Sequence, residues 1–519
     1  MELVSTMSTE IDFARIEQEV GKYFRYATFS HKWENDEPLF EKVTRGVVYD
    51  LEGSPTHEKV KMFCKIVREA GFNWAWSDTC CINKENHVVL QEALVNMFKW
   101  YERSAMTIIF LRGVDRLAQR GALTKSIWNT RMWTLEEYHA SKVVRFYTED
   151  WTPYLGLDIY NHKESPEIIS EMEQATGISA QALMALRPGL DDIREKLRLA
   201  STRQTTLEED VAYALLGLFS ISLPIVYGEG DQALGRLLAQ LLASSGDTSI
   251  LAWTGKSGSF NSCLPANITV FNQLPTSHIP PPLADAEMTA FIAGLRSLDL
   301  TLVMKLYDQL NELPVPSLSG QRMKLPCLTF KLGRVLASRN GSELVFRAQT
   351  SALGVVEIRA MEDFSQFDSL YLIHPWVDFL LDRQPVGSVM EGIFEERATD
   401  ESSGELPSFP GPSNITPTRI TRLLSALGLP FGRRSPRPSD AHSLLPPSTL
   451  SPVDKRMRVL QFITRLRQPF GALLLTPIRR NVEEYRRISA ESLITVQVKE
   501  ITPAILERLV HGVRMLDVL

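Results

Sequence analysis

The run Ala105-Met106-Thr107-Ile108-Ile109-Phe110-Leu111, AMTIIFL, holds one hydroxyl and no charge. A continuous apolar run of this length, rich in β-branched and aromatic residues, is the pattern of a strand buried on both faces, as parallel strands are. Working outward, "YFRYATFSH" (Tyr23–His31), "NWAWSDTC" (Asn73–Cys80) and "KVVRFY" (Lys142–Tyr147) read as further strands. Helical periodicity separates them. Val60, Phe63, Cys64 and Val67 share one face, and Gly71 comes next as a stop; Leu90, Leu94, Met97, Phe98 and Tyr101 share another. "SIWNTRMWTLEEYHA" (Ser126–Ala140) supplies a third helix. Strand and helix alternate, which predicts an α/β fold, a parallel sheet with helices on both faces. Pockets in such sheets form beyond the carboxyl ends of the strands. That places Ser30, His31, Asp78–Cys81 and the start of the third helix around one rim.

The chain has 519 residues, more than one core accommodates. Its apolar fraction of 44% and charged fraction of 23% are those of a globular protein. The net charge of -6 gives no reason to expect nucleic acid as a partner. The charge is uneven, because Arg419–Arg487 holds 14 basic residues against 4 acidic ones. Five cysteines without a repeated CxxC point to a reducing, cytoplasmic setting, and the acidic N-terminus is not a secretory signal. Val211–Gly228 is uncharged but interrupted by Gly217, Ser220, Ser222 and Pro224. It reads as a buried helix and then a loop, not as a membrane span.

The organisation expected is an N-terminal extension (1–22), the α/β domain (23–190), a helical extension of it (191–255), a β-rich region (256–398), a Pro/Ser-rich linker or insertion (399–455) and a C-terminal part (456–519). The β-rich region rests on "LTLVMKLY" (Leu300–Tyr307), "KLPCLTFKLG", "ELVFRAQT" and "GVVEIRAM" as strand-like runs. The C-terminal part opens on a basic segment, Lys455–Arg467, whose apolar residues alternate with charge. Docking on the acidic body, and contact with an anionic membrane surface or RNA, are its readings. The last residues alternate and then turn helical.

Three segments of the first domain together resemble the fungal heterokaryon incompatibility domain. They are "YATFSHKWENDEPLF" (Tyr26–Phe40), "WAWSDTCCINK" (Trp74–Lys84) and "RMWTLEE" (Arg131–Glu137). A fourth block, Arg203–Leu241 and then "DTSILAW", is similar to the segment C-terminal to this domain in mushroom-type members. The resemblance implies a role in vegetative incompatibility, a cell-death response, acting through a homo-oligomer or other incompatibility proteins. It also implies a fold similar to the Toll/interleukin-1 receptor domain, many examples of which cleave NAD with a glutamate. Trp133 and Glu137 match that family's Trp-to-Glu spacing of four. Glu137 is then the catalytic candidate, and Ser30, Trp33, Asp78, Arg131 and Trp133 line a candidate NAD pocket. NAD is substrate there; no cofactor and no metal are implied.

The residues are compatible with this chemistry. Positions i and i+4 share a helix face, so Trp133 and Glu137 fall on one side and Glu136 points elsewhere. A carboxylate beside a ribose stabilises an oxocarbenium-like transition state. Indoles of Trp33 or Trp133 can stack on a base, and Arg131 can neutralise a phosphate. The plainer alternatives stay open: Trp133 as a core anchor, Glu137 as a surface charge or a partner for Arg131, Asp78 as a backbone cap, and Ser30 as a loop hydrogen bond. The Cys80, Cys81, His31 and Asp78 group raises a thiol nucleophile or zinc, against which adjacent cysteines and the missing CxxC spacing argue. Departures from the family pattern, Glu34 for Gly and Glu136 for Gln, add negative charge near the expected rim.

Overall fold

The computed structural model describes residues 20–272, 300–333, 335–340, 343–362, 370–375, 470–479, 483–498 and 500–519. The extension up to residue 19, the Pro/Ser-rich stretch and the basic segment Lys455–Arg467 lie outside them.

The AMTIIFL run is a strand buried at every position, β3 (Met106–Leu111). It sits inside a four-stranded sheet of order β2-β1-β3-β4, with β1 at Tyr26–His31, β2 at Trp74–Ser77 and β4 at Val144–Thr148. All three pairings are parallel. The chain leaves β1 toward β2 through helix α1 (Pro55–Glu69). It returns across β1 through α2 (Asp78–Cys81) and α3 (His87–Arg103) to β3. It then runs through α4 (Ile127–Thr130) and α5 (Trp133–Ala140) to β4. The direction of travel therefore reverses between β1 and β3. That switch point opens a crevice at the carboxyl ends of those two strands, where Ser30 and His31 stand opposite Ile109 and Phe110.

Local chemistry explains the helix starts. Ser54 accepts from the Thr56 amide with Pro55 at the first helical position of α1. The Asn86 side chain accepts from the Val88 and Val89 amides to start α3. Both sheet faces are covered. Ala27, Phe29, Ile108 and Phe110 pack with Phe63 and Val67 of α1. On the other face, hydroxyls replace apolar side chains beneath α5. Thr28 Oγ1 lies 2.7 Å from Thr107 Oγ1, Thr107 bonds Ser141, and Ser141 Oγ donates to the Glu137 carbonyl at 2.6 Å. Small polar side chains let α5 approach the sheet closely.

The strand expected over Asn73–Cys80 ends at Ser77, because Asp78 accepts from the Thr79 amide and starts a helical turn. Residues 191–255 are helical in part: α6 (Ile193–Ser201), α7 (Asp210–Tyr213), α8 (Leu216–Phe219) and α9 (Gln232–Ser245). The uncharged stretch from Val211 breaks at Ser220, which takes a left-handed conformation after α8. Among the described residues, no helix is long and apolar enough to cross a membrane.

Leu300–Tyr307 is a correction. It forms helix α10 (Leu300–Asn311), not a strand, because Val303, Leu306, Tyr307 and Leu310 recur at helical spacing and all four are buried. The remainder is β-rich as expected. Strands at Arg322–Lys331, Tyr371–Pro375, Phe470–Pro477, Glu484–Ile488 and Val513–Val518 pair in a closed ring, antiparallel except for one short contact. Closure leaves these strands without a free edge. The last of them is a second correction: the chain does not end helical, because Val513–Val518 leaves its helix (Pro503–Gly512) to pair with Met323–Leu328. A separate antiparallel sheet spans Val335–Arg359.

The two halves share one apolar core, in which Leu241, Leu251 and Phe271 pack with Leu325, Leu473 and Leu516. A buried arginine fixes the contact. The Arg487 guanidinium donates to the carbonyls of Leu251 (2.9 Å) and Trp253 (2.7 Å) and lies 3.8 Å from the Trp253 ring centre. Arg487→Met leaves those buried carbonyls unpaired. It is expected to cost about 3 kcal/mol, read as a lower urea midpoint at unchanged m-value.

Candidate functional site

Ser30 and Glu137 meet directly. The Ser30 hydroxyl donates to Glu137 Oε2, and Trp128 Nε1 donates to Ser30 Oγ at 2.7 Å. Ser30 is on the α5 face of β1 because β-strand side chains alternate, and Glu137 faces it from the middle of α5. The Glu137 carboxyl is buried. Desolvation and the neighbouring Asp78 charge push it up to about 8, against the opposing pull of Ser30, Arg131 and Arg203. Asp78 holds a second pair: its Oδ2 accepts from Trp33 Nε1 at 2.7 Å, while Oδ1 caps the Thr79 amide at 2.9 Å. Both the capping role and a place beside Glu137 thus belong to Asp78. Lys84 Nζ covers Trp33, 3.3 Å from the ring centre.

Arg131 stays at the rim, bonded to backbone, while Trp133 turns away from Glu137. Arg131 donates to the His31 carbonyl at 3.0 Å. Trp133 Nε1 donates to Asp210 Oδ2 at 3.1 Å, and Tyr227 donates to the other oxygen of the same carboxylate. The i and i+4 positions share a face of α5, but Trp133 begins the helix and reaches the extension rather than Ser30. Sequence reasoning missed the residue that ties these parts together. Arg203, fully buried, donates to the Arg131 carbonyl, Thr134 Oγ1 and Asn129 Oδ1 at 2.9 to 3.1 Å. Trp128, inside the quoted helical stretch, is the other omission.

The two added acids do not crowd the rim. Glu34 is paired with Arg112 at 2.8 Å and Lys59 at 3.5 Å. Glu136 points to the opposite side of α5, against Gly217 and Phe98. His31 is buried, its Nε2 lies 3.6 Å from Glu37 Oε1, and desolvation lowers its pKa against the pull of Glu37. The cysteines do not form a nucleophile or a metal set. Burial pushes the Cys80 thiol up to about 12, opposite to what activation needs. No group of three His, Cys, Asp or Glu side chains is placed to hold a metal among the described residues.

Residues 26–121, from β1 through β3, match the family described as Heterokaryon incompatibility protein (HET). This part of the chain is similar to the HET domain. The vegetative incompatibility protein HET-E-1 of Podospora anserina is 32% identical over 228 residues. That alignment covers 42% of this chain but only 16% of the relative's length. No solved structure matches. The HET match ends before α5, so Glu137 lies beyond the residues it covers, while Ser30, Trp33 and Asp78 lie within them.

Proposed function

We propose that this chain acts in fungal vegetative incompatibility as a cell-death effector, and that the Ser30–Asp78–Glu137 cluster of its α/β domain cleaves NAD at the nicotinamide–ribose bond. The observation that carries the site is the pairing of Ser30 with a buried Glu137 at the switch point, beside Asp78. The likeness to HET-E-1 carries the biological role. In the proposed step the ribose C1′–nitrogen bond breaks and its electron pair leaves with nicotinamide. Water then adds to C1′ and releases a proton, and ionised Glu137 stabilises the cationic sugar. A carboxyl held up to about 8 is mostly protonated at neutral pH, so the rate is expected to rise with pH as Glu137 ionises.

A second reading has its own observation. Glu137 is enclosed and satisfied by Ser30, which suits a structural pin in a non-enzymatic module that signals by assembling with itself or partners. One experiment separates the two. The full chain and Glu137→Gln are incubated with NAD, and both are expressed in a fungal host. Nicotinamide release that falls about 100-fold or more in a folded Glu137→Gln, with loss of killing, supports cleavage. Intact NAD together with undiminished killing by Glu137→Gln transfers the function to assembly.

A further inference from the structure

One face of helix α3 lines a groove of about 550 Å³. Ala93, Asn96, Trp100 and Arg103 succeed one another along that face, with Tyr26 and Trp76 of the sheet opposite. No residue of the Ser30–Asp78–Glu137 cluster lines this groove. It opens beside β2, the edge strand of the parallel sheet. Its volume is that of a small-molecule site.

The lining has two main chemistries, with one carboxylate, Glu92, about two to three turns earlier on α3 than Lys99 and Arg103. The first is aromatic. The Trp76 and Trp100 rings lie within 10° of parallel at 5.7 Å, and Tyr26 meets Trp100 edge-on at 6.1 Å. The Tyr26 hydroxyl donates to the Trp100 carbonyl at 2.7 Å, which fixes this corner. Nothing fits between the two indoles at that spacing, so the stack presents an outer face. Trp100 is 40% exposed, a preformed ring platform. The second chemistry is cationic. Lys99 and Arg103 flank Trp100 on the last turns of α3. Lys99 reaches Asn96 Oδ1 at 3.1 Å, while Arg103 has no hydrogen bond or ion pair among the described residues.

A flat ring beside an anion satisfies both. We propose that this groove binds a planar aromatic anion of purine-mononucleotide size, its ring on Trp100 and its anionic group on Arg103 and Lys99. Stacking on an exposed aromatic tolerates different bases, and the guanidinium forks onto phosphate oxygens. The aromatic wall without the cations would suit an apolar peptide along β2; the unpartnered Arg103 beside it favours the anion.

The test is calorimetric titration of the full chain with AMP and GMP, against adenosine and ribose 5-phosphate as half-ligands. The expected result is one saturable site for a mononucleotide, with each half-ligand binding about tenfold more weakly or worse. Trp100→Ala and Arg103→Gln, both at the surface, should each weaken binding about tenfold or more while the circular dichroism spectrum is kept. Glu137→Gln should leave mononucleotide affinity unchanged, which separates this site from the carboxylate cluster. Affinity weaker than about 1 mM for both mononucleotides overturns the proposal. So does binding that survives Trp100→Ala and Arg103→Gln, or that is lost only in Glu137→Gln.

Discussion

Gly217→Ala is expected to destabilise the fold by about 3 kcal/mol or more. Gly217 sits in α8, where an added Cβ would lie 2.1 Å from Glu136 Oε1 and 2.2 Å from Phe98 Cβ. The carboxylate oxygen is at the end of a side chain and can swing. The Phe98 Cβ is anchored to the backbone of α3 and cannot, so α8 and α3 must separate. Those helices enclose Leu94, Met97, Leu216 and Leu218 in the main core, so separation loosens many contacts at once. Thermal unfolding monitored by circular dichroism measures the loss. A melting temperature within about 2 °C of wild type would show that the helix pair has slack. Glu136→Ala in the same background should recover little, because it leaves the Phe98 clash.

Glu136→Gln should do the opposite and stabilise the fold, increasingly so as pH rises. Glu136 is buried, its Oε2 has no hydrogen-bond partner, and burial plus the Glu137 charge hold its pKa well above the ordinary carboxylate value. The folded chain therefore keeps a proton that the unfolded chain releases near pH 4.5. Linkage sets the sign: the folded state binds more protons, so stability is greatest below the unfolded value and falls as pH rises through the folded one. Each pKa unit of difference is worth about 1.4 kcal/mol. Glutamine has the same shape and no proton to lose. Urea unfolding between pH 5 and 8 should show the two proteins closest at pH 5, with the variant increasingly ahead as pH rises to 8. A slope should persist in the variant from Glu137, whose carboxyl is raised to about 8. Parallel pH profiles would mean that Glu136 is ionised in the fold.

Much of the first domain is legible from pattern. AMTIIFL, with charge at neither face, has to be a central strand, and β1, β2 and β4 are marked by aromatic and β-branched runs. Leu300–Tyr307 reads wrongly as a strand because Leu, Val and Met serve strand and helix alike in a short run. Only the positions of Val303, Leu306, Tyr307 and Leu310 on one buried face decide it. The terminal strand Val513–Val518 escapes pattern reading for a related reason: its partner lies some 190 residues earlier, at Met323–Leu328. At the candidate site, motifs single out Ser30, Asp78 and Glu137, and the structure brings Ser30 and Glu137 within bonding distance. Helical spacing places Trp133 with them, yet its indole pairs with Asp210, a choice made by the packing of the extension against α5.

By itself the sequence determined the alternating α/β pattern, the rim on which the polar residues gather and the face of α5 that Glu137 occupies. These depend on periodicity and strand direction, which are local properties of the chain. The tertiary structure decided what those residues are chemically. Glu137 is raised because the fold removes water from it and sets Asp78 nearby. Glu34 is harmless to the rim because Arg112 and Lys59 neutralise it. Arg203 ties α4 and α5 together from more than 60 residues away. Charge state, burial and partner choice are set by neighbours distant in sequence, and periodicity carries no record of them.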